Sequence, residues 1–144
     1  FGWALKQSDA VIVMGDDSHH IGDAITLPLI RGKMKVCDIS KHDKNQPVFA
    51  FAGIARPEKF YKTLEENGYK VVGKVDFPDH YRYQDGDLLQ LCDQASRKGA
   101  SLMTTEKDAT RVPENYRSKI LVLPVQVIFE NDEMLDSIVK KICA

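Results

Sequence analysis

The chain has 144 residues, 43% of them hydrophobic, and a formal net charge of −1 from 20 Lys and Arg against 21 Asp and Glu. This length suits one α/β domain or a domain plus part of a second, and the near-neutral charge, without a long Lys/Arg run, argues against nucleic acid as a partner bound through a basic surface. No apolar stretch approaches the ~18–20 residues that span a bilayer, and Cys37, Cys92 and Cys143 lack the paired spacing of zinc sites and fit a reduced, cytoplasmic compartment.

The chain opens with Phe1, within what reads as the middle of an element, and is expected to be a piece of a longer protein. Ala10 to Met14 is a continuous apolar run rich in β-branched residues, followed at once by Gly15-Asp16-Asp17, and reads as a buried strand of a parallel sheet. Ser18 to Gly32 has no clean period, and Lys35 to Ile39 is a strand candidate. The polar stretch Ser40 to Pro47 has the composition of a surface connection, so a domain junction is expected there, dividing residues 1–45 from residues 46–144.

Beyond Pro47 the pattern is regular. Val48 to Ala52 reads as a strand, Gly53 as its turn, and Pro57 to Asn67 as a helix with proline at its first position and Phe60 and Leu64 on one face, stopped by Gly68. Tyr69 to Val75 reads as the next strand. Asp85 is the expected N-cap of a helix whose apolar stripe is Leu88, Leu91, Cys92 and Ala95, ending at Gly99. Ser101 to Thr105, Ile120 to Leu123 and Val125 to Phe129 follow as strands. Asp132 is the expected cap of a final helix with Leu135, Ile138, Val139 and Ile142 inward. This alternation predicts an α/β fold with a mostly parallel sheet and flanking helices.

Three stretches place polar, titratable or glycine residues just beyond predicted strands, the edge where open α/β sheets bind ligands. In FAGI, Phe51 to Ile54, Gly53 either makes the turn or lets backbone N–H groups approach a ligand; the stretch is neither a Walker A loop nor a GxGxxG. In FPDHYRY, Phe77 to Tyr83, proline fixes the backbone ahead of Asp79-His80. A histidine beside a carboxylate suits general acid–base work, while a loop histidine beside a capping aspartate is the structural alternative. Tyr81 and Tyr83 are candidates for an apolar or substrate-facing wall. In TTEKDATRVP, Thr104 to Pro113, Lys107 and Arg111 are the better phosphate ligands and Glu106 and Asp108 read as structural. His19-His20 after Asp16-Asp17 matches no metal motif with a mechanism and reads as a solvated loop, and no metal site is assigned.

Taken together and in order, FAGI with Pro57 and Phe60, FPDHY with Tyr83, and TTEKDA with Arg111 and Pro113 closely resemble the C-terminal half of the tetraacyldisaccharide 4'-kinase (lipid A 4'-kinase) family, and QSDAVIVMG, Gln7 to Gly15, resembles that family's strand after its nucleotide-binding segment. The resemblance implies a C-terminal α/β domain plus the tail of a P-loop-type nucleotide-binding domain. It implies an ATP- and Mg2+-dependent transfer of the γ-phosphate to the 4'-hydroxyl of tetraacyldisaccharide 1-phosphate, a lipid A precursor, at the cytoplasmic face of the bacterial inner membrane, with peripheral contact to the membrane surface. His80 and Asp79 are then the catalytic candidates, supporting a carboxylate from the N-terminal half, and Gly53, Lys107 and Arg111 the substrate- or phosphate-binding ones. The chain departs from the family in lacking the glycine-rich phosphate loop, the Asp-Asp-Gly-Phe-Gln segment and the metal-binding carboxylates. The main ATP and Mg2+ groups are therefore expected in an N-terminal domain, a necessary partner, and these residues alone are not expected to phosphorylate. Tyr81 stands where a second histidine is common, and Thr110 where an apolar residue is. A noncatalytic α/β module binding a nucleotide or sugar phosphate is the alternative, and a separate hydrolase or transferase using Asp79-His80 with Asp16 or Asp17 a third.

Overall fold

The computed structural model describes residues 2–17, 20–37, 39 and 42–143. The chain forms two compact units, Phe1–Lys35 with Val125–Ala144, and Val36–Pro124.

The first unit opens with a helical turn, α1 (Gly2–Leu5), and strand β1 (Val11–Met14). β1 runs parallel to β2 (Leu29–Val36), with Val11 opposite Leu29 and Met14 opposite Gly32. The expectation of a buried strand over 10–14 is corrected: alternate residues of β1 are exposed, Ile12 at 47% and Met14 at 48%. β1 has one neighbour in its sheet, and Ile12 and Met14 lie on its exposed side. The strand expected over Lys35–Ile39 is displaced too, because β2 ends at Val36 and starts at Leu29. Its sequence LIRGKMKV has no clean alternation. Pairing with strands on both sides supplies the backbone hydrogen bonds that make it a strand, and such context overrides intrinsic preference.

Between β1 and β2 a 3-10 turn, Ile21–Ala24, is organised by Asp17. Its two carboxylate oxygens accept the N–H groups of Ile21 at 2.8 Å and Gly22 at 2.7 Å. The Gly22 and Ile21 amides and the Arg31 guanidinium hold this carboxyl below its ordinary range, against the opposing effect of burial.

The second unit carries a four-stranded sheet in the order β4-β3-β5-β6. In chain order its elements are β3 (Val48–Ala52), α2 (Pro57–Glu66), β4 (Val71–Asp76), α3 (Asp85–Arg97), β5 (Ser101–Thr105), the short α4 (Glu106–Ala109) and α5 (Glu114–Arg117), and β6 (Ile120–Leu123). β3 pairs in parallel with β4 and β5, and β5 with β6, so the expected mostly parallel α/β sheet with flanking helices is what forms. All five residues of β3 are buried, because it is a central strand. Phe49 and Phe51 join Leu88, Leu91 and Ala95 of α3 in the main core, and α2, with Phe60, Tyr61 and Leu64 buried, packs against β3 and β4.

Helix ends follow local chemistry. After α2 the Gly68 N–H bonds the Glu65 carbonyl and the Tyr69 N–H the Leu64 carbonyl, with Gly68 at a φ of 82°. This is a Schellman ending, whose left-handed residue glycine adopts without a Cβ penalty, and α3 ends the same way at Gly99. It consumes Tyr69, so β4 starts at Val71 rather than at Tyr69 as expected. The cap of α3 is Gln84 rather than Asp85, in a capping box with Asp87.

After Pro124 the chain returns to the first unit. β7 (Val125–Phe129) pairs with β2, so residues 125–144, which the junction expected at 45/46 joins to the second domain, group with the first unit, and the units divide at 35/36 and 124/125. α6 (Asp132–Cys143) follows, with Asn131 Oδ1 accepting the Met134 N–H at 2.9 Å, so Asn131 and not Asp132 serves as its cap. The inward stripe expected on α6 is met in part: Leu135 and Ile138 are half-buried, but no described residue of this helix is fully buried, and Val139 is 48% and Ile142 60% exposed.

Candidate functional site

Parallel pairing of β4, β3 and β5 brings their carboxyl ends to one edge, and there the three singled-out stretches meet. Gly53 directly follows the central strand β3 and is buried. Its N–H donates to Asp108 Oδ1 at 3.1 Å, while its carbonyl accepts the His80 N–H at 3.0 Å and Arg111 Nη1 at 3.0 Å. A Cβ here would lie 3.0 Å from the Tyr83 hydroxyl and 3.2 Å from both the Pro78 carbonyl and Tyr81 Cβ. Gly53 is not among the glycines with positive φ. Close approach of the loop from Pro78 to Tyr83, and not a left-handed turn, excludes a side chain at this point. Its N–H, the group a phosphate would use, is already engaged by Asp108.

Asp108 is the centre of this arrangement. It is fully buried in α4, next to the exposed Lys107. Besides Gly53, its Oδ1 accepts the Tyr83 hydroxyl at 3.0 Å and Arg111 Nη1 at 3.2 Å, and its Oδ2 accepts the Thr105 hydroxyl at 2.8 Å. A buried carboxylate persists only when it is paired and hydrogen-bonded in this way. Thr105 also accepts the Asp108 N–H at 3.1 Å, capping α4. The Tyr83 phenol is pushed well above its usual range, first by burial and then by the adjoining Asp108 carboxylate, so it stays a donor.

His80 occupies the third position of a four-residue turn closed by Tyr81 N–H to Pro78 O at 3.1 Å, with a φ of 61°. That conformation is uncommon outside glycine, and histidine is one of the residues that tolerate it. The turn is held from below by packed rings: Phe77 lies 4.8 Å from Tyr81 and 5.1 Å from Tyr83 between centroids, and Phe51 5.2 Å from Tyr83. The expected wall of Tyr81 and Tyr83 is thus mainly a foundation for the turn, with Tyr83 buried and the Tyr81 hydroxyl donating to Asp87 at 3.1 Å. The imidazole itself is 81% exposed, with Nε2 3.7 Å from Asp79 Oδ2 and Nδ1 3.5 Å from Arg111 Nη2.

Gly53, Asp79, His80 and Arg111 therefore converge as one group, while Lys107 sits exposed on α4 beside Asp108. Arg111, expected as a ligand, is mostly buried and bound to Gly53 and Asp108, leaving Nη2 directed at His80. Asp108 is structural as expected, but its reach across all three loops was not legible; Thr105 and Asp108, three positions apart, form a Thr-x-x-acid capping pattern that gives the only local signal for it. Asp16 and Asp17 belong to the first unit and Asp79-His80 to the second, and both Asp17 oxygens are used by backbone amides. His19 lies outside the described residues, and His20 Nδ1 is 3.5 Å from Asp23 Oδ2 in an exposed pair.

The chain is 36% identical over 135 residues to a tetraacyldisaccharide 4'-kinase of Rhodospirillum centenum, covering 92% of this chain and 40% of that protein. A relative of the same name from Methylorubrum extorquens is 43% identical over 109 residues, covering 76% of this chain and 33% of its own length. The chain thus spans less than half the length of the curated relatives it matches. Among solved structures, the LpxK of Aquifex aeolicus, crystallised with ATP, matches with a TM-score of 0.67 at 24% identity, covering 96% of this chain and 44% of that one, and shares the fold. With the family model described as tetraacyldisaccharide-1-P 4'-kinase matching residues 2–144, the chain belongs to that family.

Proposed function

We propose that the protein of which this chain forms part transfers the ATP γ-phosphate to the 4'-hydroxyl of tetraacyldisaccharide 1-phosphate, a step of lipid A biosynthesis, while peripherally bound at the cytoplasmic face of the bacterial inner membrane. Family membership supports the reaction class. The observation that carries the site is His80, exposed at a strand end in a left-handed conformation, with Asp79 on one side and Arg111 on the other. Unfavourable backbone conformations persist where the surroundings impose them, often at functional positions.

The described residues do not fit the nucleotide and its metal. Among the described residues no three His, Cys, Asp or Glu side chains gather as a metal site. The Gly53 N–H is taken by Asp108. ATP and Mg2+ are therefore assigned to the part of the family's length that this chain does not span. Phosphoryl transfer depends mainly on positioning and charge stabilisation, with a base that takes the hydroxyl proton. His80 supports that base: its imidazole, with Asp79 alongside, stabilises the charge shift as the sugar hydroxyl loses its proton. Lys107, an exposed cation at the end of β5, offers a point contact for a substrate phosphate.

The test is ATP-dependent transfer of labelled phosphate to tetraacyldisaccharide 1-phosphate by the full-length protein and, separately, by residues 1–144. Transfer by the full-length protein alone is expected. Its absence there, with the protein folded and the lipid dispersed, overturns the assignment, and transfer by residues 1–144 overturns the placement of ATP and Mg2+.

A further inference from the structure

We propose that the buried Asp108 is a positioning residue: through Arg111 and the Gly53 peptide it fixes the ring and tautomer of His80, so that Nδ1 accepts from Arg111 and Nε2 carries the proton toward Asp79. The consequence for turnover rests on the kinase reading of the preceding section, whereas the tautomer itself does not.

The chain of contacts is continuous. Asp108 Oδ1 takes the Gly53 N–H at 3.1 Å and Arg111 Nη1 at 3.2 Å, and the same Nη1 donates to the Gly53 carbonyl at 3.0 Å. That carbonyl also accepts the His80 N–H, which is shared with Asp79 Oδ1, at 3.0 Å in each case. The backbone of His80 is therefore tied to the residue, Gly53, that Asp108 holds through its N–H. The side chain is reached by the other arm of the guanidinium, Nη2, 3.5 Å from Nδ1. A guanidinium is a donor with no acceptor, so an Nδ1 facing it is the unprotonated nitrogen of a neutral imidazole. The proton is left on Nε2, 3.7 Å from Asp79 Oδ2. An imidazole this exposed would otherwise sample several rotamers and both tautomers. The fixed fork of Arg111, itself only 19% exposed and held at two points by Asp108 and Gly53, selects one.

Long-range 15N–1H correlation spectra of the histidines in the full-length protein, near pH 8, read the tautomer directly, alongside steady-state kinetics. The wild type is expected to show His80 with Nε2 protonated. Asp108→Asn keeps the shape but removes the charge that holds Arg111. Arg111→Lys, at a partly exposed position, keeps the charge but loses the fork, and serves if Asp108→Asn does not fold. In the folded variant His80 is expected to show mixed tautomers, with kcat about 10–100-fold lower and the KM for ATP unchanged, as for a small misplacement of a reacting group. An unchanged Nε2–H signature in a folded variant, or an Nδ1–H form in the wild type, overturns the proposal. So does a raised KM with kcat preserved, which makes Arg111 a ligand contact. Absence of kinase activity in the wild type, with the tautomer responding as stated, overturns the reaction assignment and leaves the positioning role standing.

Discussion

Arg111 Nη1 donates to the carbonyl of Gly53 at 3.0 Å across 58 residues of sequence, and so ties the loop after β5 to the end of β3. Asp108 closes the same bracket from the other side of the Gly53 peptide at 3.1 Å. Both backbone polar groups of one buried residue bond side chains from a neighbouring loop. Removing Asp108 leaves the buried Gly53 N–H without an acceptor, at a cost of about 1–3 kcal/mol, whereas the carbonyl keeps the His80 N–H when Arg111 is removed.

Gly53→Ala is expected to destabilise the protein by ~1–3 kcal/mol through overpacking. The new Cβ would stand 3.2 Å from the Pro78 carbonyl, which is anchored by the Tyr81 N–H and does not yield as a flexible side chain would. Because φ at Gly53 is not positive, the cost is steric, and the larger Gly53→Val should exceed Ala. Urea unfolding midpoints check this, and a midpoint equal to wild type counts against the close-approach account.

Stability is expected to fall with rising pH above about pH 10, partly through Tyr83. Its folded-state pKa is raised above the unfolded value of about 10, so its contribution is complete below that pH and is lost as pH rises toward the folded value, because the unfolded chain releases the phenolic proton first. Tyr83→Phe should be less stable at pH 8 by ~1 kcal/mol, from the lost bond to Asp108, yet decline less steeply from pH 9 to 11. Unfolding curves over that range decide it, and parallel slopes refute the assignment to Tyr83.

In the full-length protein His80→Ala is expected to lower kcat by roughly 10²–10⁴-fold, the usual scale of acid–base assistance, with ATP affinity retained. An effect felt as charge shifts belongs to the transition state and not to ground-state binding. Wild-type kcat across the pH range in the folded variant sinks the catalytic role, and a loss confined to ATP binding makes His80 a nucleotide contact.

Lys107→Ala should behave differently. An exposed lysine contacting a substrate phosphate supplies uniform binding, so KM for the phosphorylated acceptor is expected to rise roughly tenfold while kcat stays near wild type. Since Lys107 is exposed, the unfolding midpoint should not move. Unchanged KM and kcat would leave Lys107 as a solvated surface charge.

The regular part of the second unit is legible in the amino-acid order. β3, α2, α3, β5 and β6 announce themselves through β-branched runs, Pro57 at a helix start and Gly68 and Gly99 at helix ends, all of them signals carried within a few residues. The strand-end positions of Gly53, His80 and Lys107 followed from those boundaries, and the ordered motifs were enough to point to the family. Tertiary structure alone decided three other matters. Arg31, Gly32 and Lys33 belong to a strand because β2 has a partner on each side, one of them arriving from residues 125–129. Ile12, Met14, Val139 and Ile142 are apolar in pattern but exposed, since periodicity marks a face suited to burial and does not supply what covers it. Lys107 and Asp108, adjacent in sequence, end on opposite sides of the protein surface, the one in solvent and the other fully buried. Which of two neighbouring charges can lose its water depends on donors such as Gly53 and Tyr83, 55 and 25 residues away, and those reach it only once parallel strands bring their ends to one edge.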